Sequence, residues 1–415
     1  MGWMMKSRKL TKRNGTAEET KEAQTLTDRV ENEGPEAIAQ HVKENLDRWK
    51  NEKLKIGISG RIKTGKSQFI NAVLGFKPNQ LGAAETGSGN TTQQATPYTH
   101  PQNEQIVLFN FPGVGTEDHP NKDNYMTKEN ASECDYFLIF FDSVISDDDI
   151  WLAERLTEIK TPFCFVRSMI DQDIDNAKFD GKEPDTVLGE VRGKVQTSRS
   201  VAANTITRKS SIFFISGRYP NIGEFPELLD HNESNISSLK FESIVFSISA
   251  ISKEVIEKKY QKLKSRIRTV SVGAAAISAE PVPILDLLIN LQLLKYELYH
   301  YINTFGITMD FIESLPTEIK ERLSVWNILT KSGTALTVFI TQQIWKAAAV
   351  AAFESVADLF IPVIGSLISA PTTFLVVNNV LNKYLDQMKE DAFIVYENVL
   401  HAQTHVHIDA QVTRN

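Results

Sequence analysis

The stretch Leu54-Lys55-Ile56-Gly57-Ile58-Ser59-Gly60-Arg61-Ile62-Lys63-Thr64-Gly65-Lys66-Ser67-Gln68-Phe69-Ile70-Asn71-Ala72-Val73-Leu74 sets the architecture around it. Leu54, Ile56 and Ile58 alternate with Lys55, Gly57 and Ser59, which is the period of a strand. Phe69, Ile70, Val73 and Leu74 recur at the spacing of one apolar helix face. Between them, Gly60 to Ser67 spells GxxxxGK[ST]. A backbone bent at Gly60 and Gly65 aims successive N–H groups at one point. Lys66 adds a point charge, and Ser67 adds an oxygen for Mg2+. With strand, loop and helix in this order, the segment reads as a phosphate-binding loop for a nucleoside triphosphate.

Composition narrows the classes. A chain of 415 residues is too long for one simple core and suggests two or three structural units. Its 45 Lys+Arg against 52 Asp+Glu leave no global basic field, so nucleic acid is not expected as a partner. Cys134 and Cys164 sit in or beside apolar runs and read as reduced core residues rather than nucleophiles. Trp3, Met4 and Met5 are followed at once by Lys6, Arg8 and Lys9, which is not the pattern of a secretory leader. Ser7 falls one place late for M-G-x-x-x-[ST], which argues against acylation at Gly2.

Residues 1–34 are polar and weakly periodic, the pattern of a mobile arm ending at Gly34-Pro35. An amphipathic helix is expected over 35–53, from Ile38, Val42, Leu46 and Trp49. Residues 54–249 form an α/β region. Its expected strands are Ile106–Phe111, Tyr136–Phe141, Phe163–Val166, Ile212–Ile215 and Ile244–Ile248, alternating with helices such as Ile150–Lys160 and Asp185–Thr197. Near-continuous apolar strands between helices imply a doubly wound, mainly parallel sheet with its ligand at the carboxyl ends of the strands.

From 250 to 415 the pattern is helical: Lys253–Val272, Ile284–Tyr301, Pro316–Leu329, Gly333–Phe353 and Ser355–Tyr396. The uncharged run Leu359–Asn382 is interrupted by Pro362, Gly365 and Pro371, and reads as a buried helix pair rather than a membrane span. His401, His405 and His407 have no carboxylate or cysteine arranged around them and read as a frayed or solvated tail.

The later strand ends discriminate among nucleotides. After Ile106–Phe109 stand Asn110-Phe111-Pro112-Gly113, where a GTPase carries D-x-x-G. After Phe163–Val166 stand Arg167-Ser168-Met169-Ile170-Asp171, and after Ile212–Ile215 stand Ser216-Gly217. A carboxylate at Asp171 accepts both N–H groups of a guanine edge, a pairing that adenine does not offer. The alternative is that Asp171, Asp173 and Asp175 form an acidic solvated loop.

In these residues the chain resembles the immunity-related, or interferon-inducible, GTPases, a dynamin-like family with a Ras-like P-loop G domain. The resemblance is carried by Gly65 to Ala72, Gly82 to Gly87, Thr96 to Pro101, Phe111 to Thr116 and Phe163 to Arg167. It continues through Phe225 to Leu228, Pro281 to Pro283, Phe305-Gly306 and Phe360 to Ser366. It implies a G domain over 54–249 and an all-α helical domain built from the helix at 35–53 and from 250–415. It also implies GTP/GDP and Mg2+ as ligands, slow hydrolysis and nucleotide-dependent self-association of G domains. The setting it implies is the cytoplasm, peripherally at intracellular membranes, in cell-autonomous immunity.

Carried over by position, the resemblance gives Lys66 the β- and γ-phosphates, Ser67 a place on Mg2+, and Thr86 and Thr92 the role of switch threonines. Asn110 would act on the metal through water, and Asp171 would read the base with Ser216 and Gly217 close by. Gly60, Thr64, Gly65, Gln68 and Gly113 complete the nucleotide contacts.

Departures from the family are also visible. Asn110 replaces an aspartate, Met169 replaces the lysine of T-K-x-D, and Asn90 stands where relatives often carry glutamate; each favours slower turnover. Lys63 occupies the place of the arginine finger in the related guanylate-binding proteins and atlastins. It either reaches the transferring phosphate when two G domains meet or is a solvated loop lysine. Two other functions fit the sequence: a nucleotide-locked scaffold with little hydrolysis, and an ATPase, since Met169 weakens the guanine signature.

Overall fold

The computed structural model describes residues 33–76, 80–86, 94–114, 125–128, 131–178, 180–217, 219, 221–250, 252–278, 285–330, 338–344, 346–347 and 370–412. Asn90, Thr92, the Gly87 to Thr91 loop, residues 1–32, Pro281 to Pro283, Phe360 to Ser366 and most of the expected helix Gly333–Phe353 lie outside them. The chain divides into two compact units. One is Trp49–Val255, and the other joins the described residues up to Arg48 with those from Ile256 onward.

In the first unit, strands β1 (Leu54–Gly60), β2 (Thr96–His100), β3 (Asn103–Asn110), β4 (Tyr136–Phe141), β5 (Phe163–Arg167) and β6 (Ile212–Phe214) form one sheet. Their order is β2-β3-β1-β4-β5-β6. All neighbours are parallel except β2 with β3. Every residue of β4 is buried, because this central strand is covered on both faces. Tyr136, Leu138 and Phe140 face a cluster with Leu54, Ile56, Ile58, Phe69 and Ile70. Phe137, Ile139 and Phe141 face the opposite cluster, with Leu152, Leu156 and Phe165. The sheet is the doubly wound, mainly parallel one expected from the sequence.

The helices of this unit include α2 (Lys66–Leu74), α3 (Asp147–Glu158), α4 (Ile170–Lys178), α5 (Pro184–Thr197), α6 (Phe225–Asn235) and α7 (Ser238–Ser247); α1 is Pro35–Leu46. One sequence expectation is corrected here, and one alternative is set aside. Ile244–Ile248 is not a strand but the end of α7, which Ser237 caps by accepting from the Lys240 N–H. Phe241, Ile244, Val245 and Ile248 fit a helical face as well as a short strand, and their burial settles the helix. Asp171, Asp173 and Asp175 are not a solvated loop either. They belong to α4, where Asp171 is buried.

The second unit is helical, with α1, most of α8 (Lys253–Ile277), α9 (Leu285–Phe305) and α10 (Ala370–Val412) as its main elements. A Cβ on Gly273 would stand 2.5 Å from Val42 Cγ2, so α1 and α8 approach closely there. Arg266 forms a forked pair with Glu297 at 2.8 and 2.9 Å and donates from Nη1 to the Leu46 carbonyl at 2.6 Å, tying α8 to α9 and to the end of α1. Lys259, fully buried, donates to the Thr304 carbonyl at 2.7 Å; burial lowers its pKa to about 7.

The helix expected over Pro316–Leu329 is broken into Thr317–Arg322 and Trp326–Leu329. At the break, Asp391 accepts the Ser324 and Val325 N–H groups at 2.9 and 2.6 Å. The backbone through His401, His405 and His407 is helical rather than frayed. Among the described residues, no helix is long and apolar enough to cross a membrane. Both cysteines are buried thiols, and burial pushes each pKa up to about 12, which removes nucleophilic character.

Candidate functional site

The site forms where four strand ends meet the start of α2. Gly60 closes β1 at φ 142°, and a side chain there would overlap the Phe140 carbonyl oxygen, so only glycine fits. Gly65 stands as the N-cap of α2 in the left-handed region at φ 83°. Lys63, at the exposed loop tip, also has positive φ (67°), a conformation that costs a non-glycine residue about 1 kcal/mol or more. The loop thus has the shape to cradle an anion at the N-terminus of a helix whose first residues are Lys66 and Ser67.

Lys66 is buried, and its ammonium donates to the Gly60 and Arg61 carbonyls at 2.7 and 2.9 Å. Burial lowers its pKa to about 8, against the opposing charge of Asp149. A desolvated cation held by neutral carbonyls gains from an arriving phosphate what it lost in leaving water. Asp149 was not singled out in the sequence. It is buried at the start of α3, accepts from Ser146 N and Oγ at 2.9 and 2.7 Å, and lies within electrostatic reach of Lys66 and Arg61. Burial raises its pKa, opposed by the Ser146 hydrogen bonds and by Arg61.

At the end of β3, Asn110 is buried and pairs in register with Ile58 of β1. The Phe111 N–H donates to the Ile58 carbonyl at 2.8 Å. The Tyr125 phenol donates to the Pro112 carbonyl at 2.9 Å and lies 3.0 Å from Ser59 Oγ, so the loop carrying buried Gly113 is fastened to the end of β1.

The β5 loop comes to the same place. The Ser168 hydroxyl donates to the Thr64 carbonyl inside the phosphate loop, and a Cβ on Gly65 would stand 3.5 Å from Met169 Cγ. Asp171 follows in the first turn of α4. The Ile170 N–H donates to the Ile215 carbonyl at 3.3 Å, bringing up Ser216 and Gly217, both buried. A Cβ on Gly217 would lie 3.1 Å from the backbone nitrogen of Phe69 and 3.4 Å from Gln68 Cβ, so this loop packs on the start of α2.

Gly60 to Gln68, Asp171, Ser216 and Gly217 are therefore gathered at one edge, with Asn110 and Gly113 beside β1. Thr86 is exposed and follows a fixed point. Asn71 of α2 accepts the Ala84 N–H at 2.6 Å and donates to the Ala84 carbonyl at 2.9 Å. Thr92 lies outside the described residues.

The sequence matches the interferon-inducible GTPase (IIGP) family over residues 20–399. The chain belongs to the interferon-inducible GTPase family. It is thus a GTPase, a binder of guanine nucleotide. It is 27% identical over 365 residues to interferon-inducible GTPase 5 of Rattus norvegicus, covering 85% of this chain and 77% of that protein. To interferon-inducible GTPase 1 of Mus musculus it is 32% identical over 269 residues, spanning 63% of each chain. Among solved structures, Era from Aquifex aeolicus is 16% identical, with a TM-score of 0.30, over 51% of this chain and 68% of that one.

For an interferon-inducible GTPase, the glycine cradle and buried Lys66 fit a triphosphate. Ser67 and Asn110 carry neutral side-chain oxygens, which would fit a Mg2+ bound mainly through the phosphates. Among the described residues there is no cluster of three or more His, Cys, Asp or Glu that would hold a metal by itself. Arg167, Ser168, Asn71 and Tyr125 are site-shaping residues that the sequence reading passed over.

Proposed function

We propose that this GTPase binds GTP and GDP with Mg2+, hydrolyses GTP slowly, and associates with a second copy through its G unit when nucleotide is bound. It acts in the cytoplasm at intracellular membrane surfaces, in cell-autonomous immunity. The observation that carries the reading is the convergence of the phosphate cradle with the turn bearing Asp171, through the Ser168 to Thr64 bond.

In this reading Lys66 and the loop amides hold the β- and γ-phosphates, while Ser67, Thr92 and, through water, Asn110 hold Mg2+. The metal supplies charge neutralisation on the phosphates. Asp171 accepts the guanine N–H groups, with Ser216 and Gly217 closing on the base. Thr86 follows the γ-phosphate from the anchor at Ala84. Lys63 has the exposed position from which a side chain can reach a nucleotide in a facing G unit.

Concentration-dependent GTP hydrolysis tests the proposal: specific activity is expected to rise with protein concentration. A flat, near-zero rate at every concentration would instead favour a nucleotide-locked scaffold, a reading supported by Asn110, which lacks the charge of the aspartate it replaces. Flotation with liposomes in the GDP and GTP-analogue states tests the membrane part, and failure in every state removes it.

A further inference from the structure

The turn that presents Asp171 is held by a residue outside the nucleotide constellation. Arg167, the last residue of β5, is buried, with a side chain only 9% exposed. Its Nη1 donates to the Ser168 carbonyl at 2.6 Å and its Nη2 to Asp173 Oδ2, on the first turn of α4, at 2.9 Å. One planar guanidinium thus bridges the strand end and the helix start. Between these two anchors lie Met169, in the left-handed region at φ 59°, and buried Asp171. The same Ser168 whose carbonyl Arg167 holds sends its hydroxyl to Thr64 in the phosphate loop.

Arg167 is buried but Asp173 keeps 29% of its side chain exposed, so the pair itself adds little net stability, while stripping the buried guanidinium of its partner is costly. Its usefulness therefore lies in geometry. Recognition of two N–H groups by one carboxylate requires placement within about 0.5 Å. Met169 provides no charge to fix the turn, and the partner Asp142 is exposed and 3.9 Å from Nη1. The Arg167 to Asp173 bond is the close contact that clamps the turn.

We propose that Arg167 is a positioning residue for base selection, pinning the turn that presents Asp171 and so setting the preference for guanine without touching the nucleotide. The proposal rests on the guanine reading of Asp171. The fork also holds the Ser168 carbonyl, so loosening it disturbs the base side of the site while the glycine cradle and Lys66 keep their own bonds.

The test is competition of GDP, IDP and ADP against a fluorescent GDP derivative on the full chain. IDP lacks the exocyclic amino group, and loss of one hydrogen bond to a carboxylate is expected to weaken wild-type binding about 10- to 100-fold. In Arg167→Met the GDP-to-IDP ratio is expected to fall to about 3 or less, while ADP affinity changes less than about 2-fold. Arg167→Lys, which keeps the charge but not the fork, is expected to recover part of the ratio. Asp173→Ala, at a half-buried side chain, removes the acceptor and so breaks the same bond from the other end. It decides the matter if Arg167→Met does not fold.

Equal loss for all three nucleotides, or an unchanged ratio in the folded variants, overturns the role of Arg167 while leaving the guanine reading intact. A wild-type protein that binds GDP, IDP and ADP alike overturns the guanine reading and the role of Arg167 with it.

Discussion

Replacing Asn71 with leucine is expected to cost roughly 2–6 kcal/mol of stability in the nucleotide unit. Asn71 is 4% exposed, and its amide both accepts from the Ala84 N–H at 2.6 Å and donates to the Ala84 carbonyl at 2.9 Å. Ala84 is itself 2% exposed, so water cannot replace the lost partner. A buried polar group left without its hydrogen bond costs about 1–3 kcal/mol, and leucine leaves two such groups. Leucine has the same branched heavy-atom skeleton and is no smaller, so it leaves no cavity. Even the lower bound is a change of about 30-fold in an equilibrium constant, since 1.4 kcal/mol is tenfold.

Two measurements read this prediction. Urea unfolding followed by circular dichroism should show an earlier transition for the nucleotide unit, and amide exchange over residues 80–86 should accelerate by about 30-fold or more. Because Thr86 lies two residues beyond the clamp, affinity for a GTP analogue should fall more than affinity for GDP. An Asn71→Leu protein whose Ala84 amide exchanges at the wild-type rate, or whose stability moves by less than about 1 kcal/mol, would refute the reasoning.

Gly60→Ala is expected to abolish nucleotide binding in a fluorescence titration, because the added carbon meets the Phe140 carbonyl and φ is 142°; binding within a few-fold of wild type would contradict the cradle. Burial holds the Lys66 pKa at about 8 in the folded chain, below the ordinary lysine value of 10.5. Its proton is therefore lost in the empty site as pH rises through about 8, and GDP affinity should weaken above that pH. Lys66→Met should bind weakly without this dependence. The same sign makes the Lys66 contribution to stability rise between about pH 8 and 10.5, where the unfolded chain holds the extra proton. Lys63→Ala should lower GTP turnover at high protein concentration and leave GDP affinity unchanged. Unaltered turnover makes Lys63 a solvated lysine.

Much of the sheet could be read from the chain because its strands carry long apolar runs: Tyr136–Phe141 and Phe163–Val166 have no competing helical reading. β2 was less visible. It is a mostly exposed antiparallel edge containing Pro97, with little apolar signal to announce it. Ile244–Ile248 failed for the opposite reason, since five apolar-rich residues satisfy both periods and only the Ser237 cap and tertiary burial separate them.

At the site, the residues whose type matters for chemistry stood out by spacing. Those that matter through contact did not. Ser168 meets Thr64 across 104 residues, and Asn71 meets Ala84 across a loop, distances at which no local pattern operates. An acidic solvated run stayed open as the alternative for Asp171 because sequence cannot show that its neighbour Asp173 pairs with Arg167.

The fastening of α1 to the far half of the chain also sets an order of events during synthesis. Arg266, which holds the Leu46 carbonyl, follows it by 220 residues. At about 5–20 residues per second, α1 leaves the ribosome roughly 10–45 s before its partners exist. In that interval the intervening nucleotide unit can be completed, while the side of α1 carrying Ile38, Ala39, Val42 and Leu46 has nothing to cover it. Each newborn molecule therefore carries a sticky segment at its front for most of translation. Until Arg266 and its neighbours emerge, that face is open to chaperones.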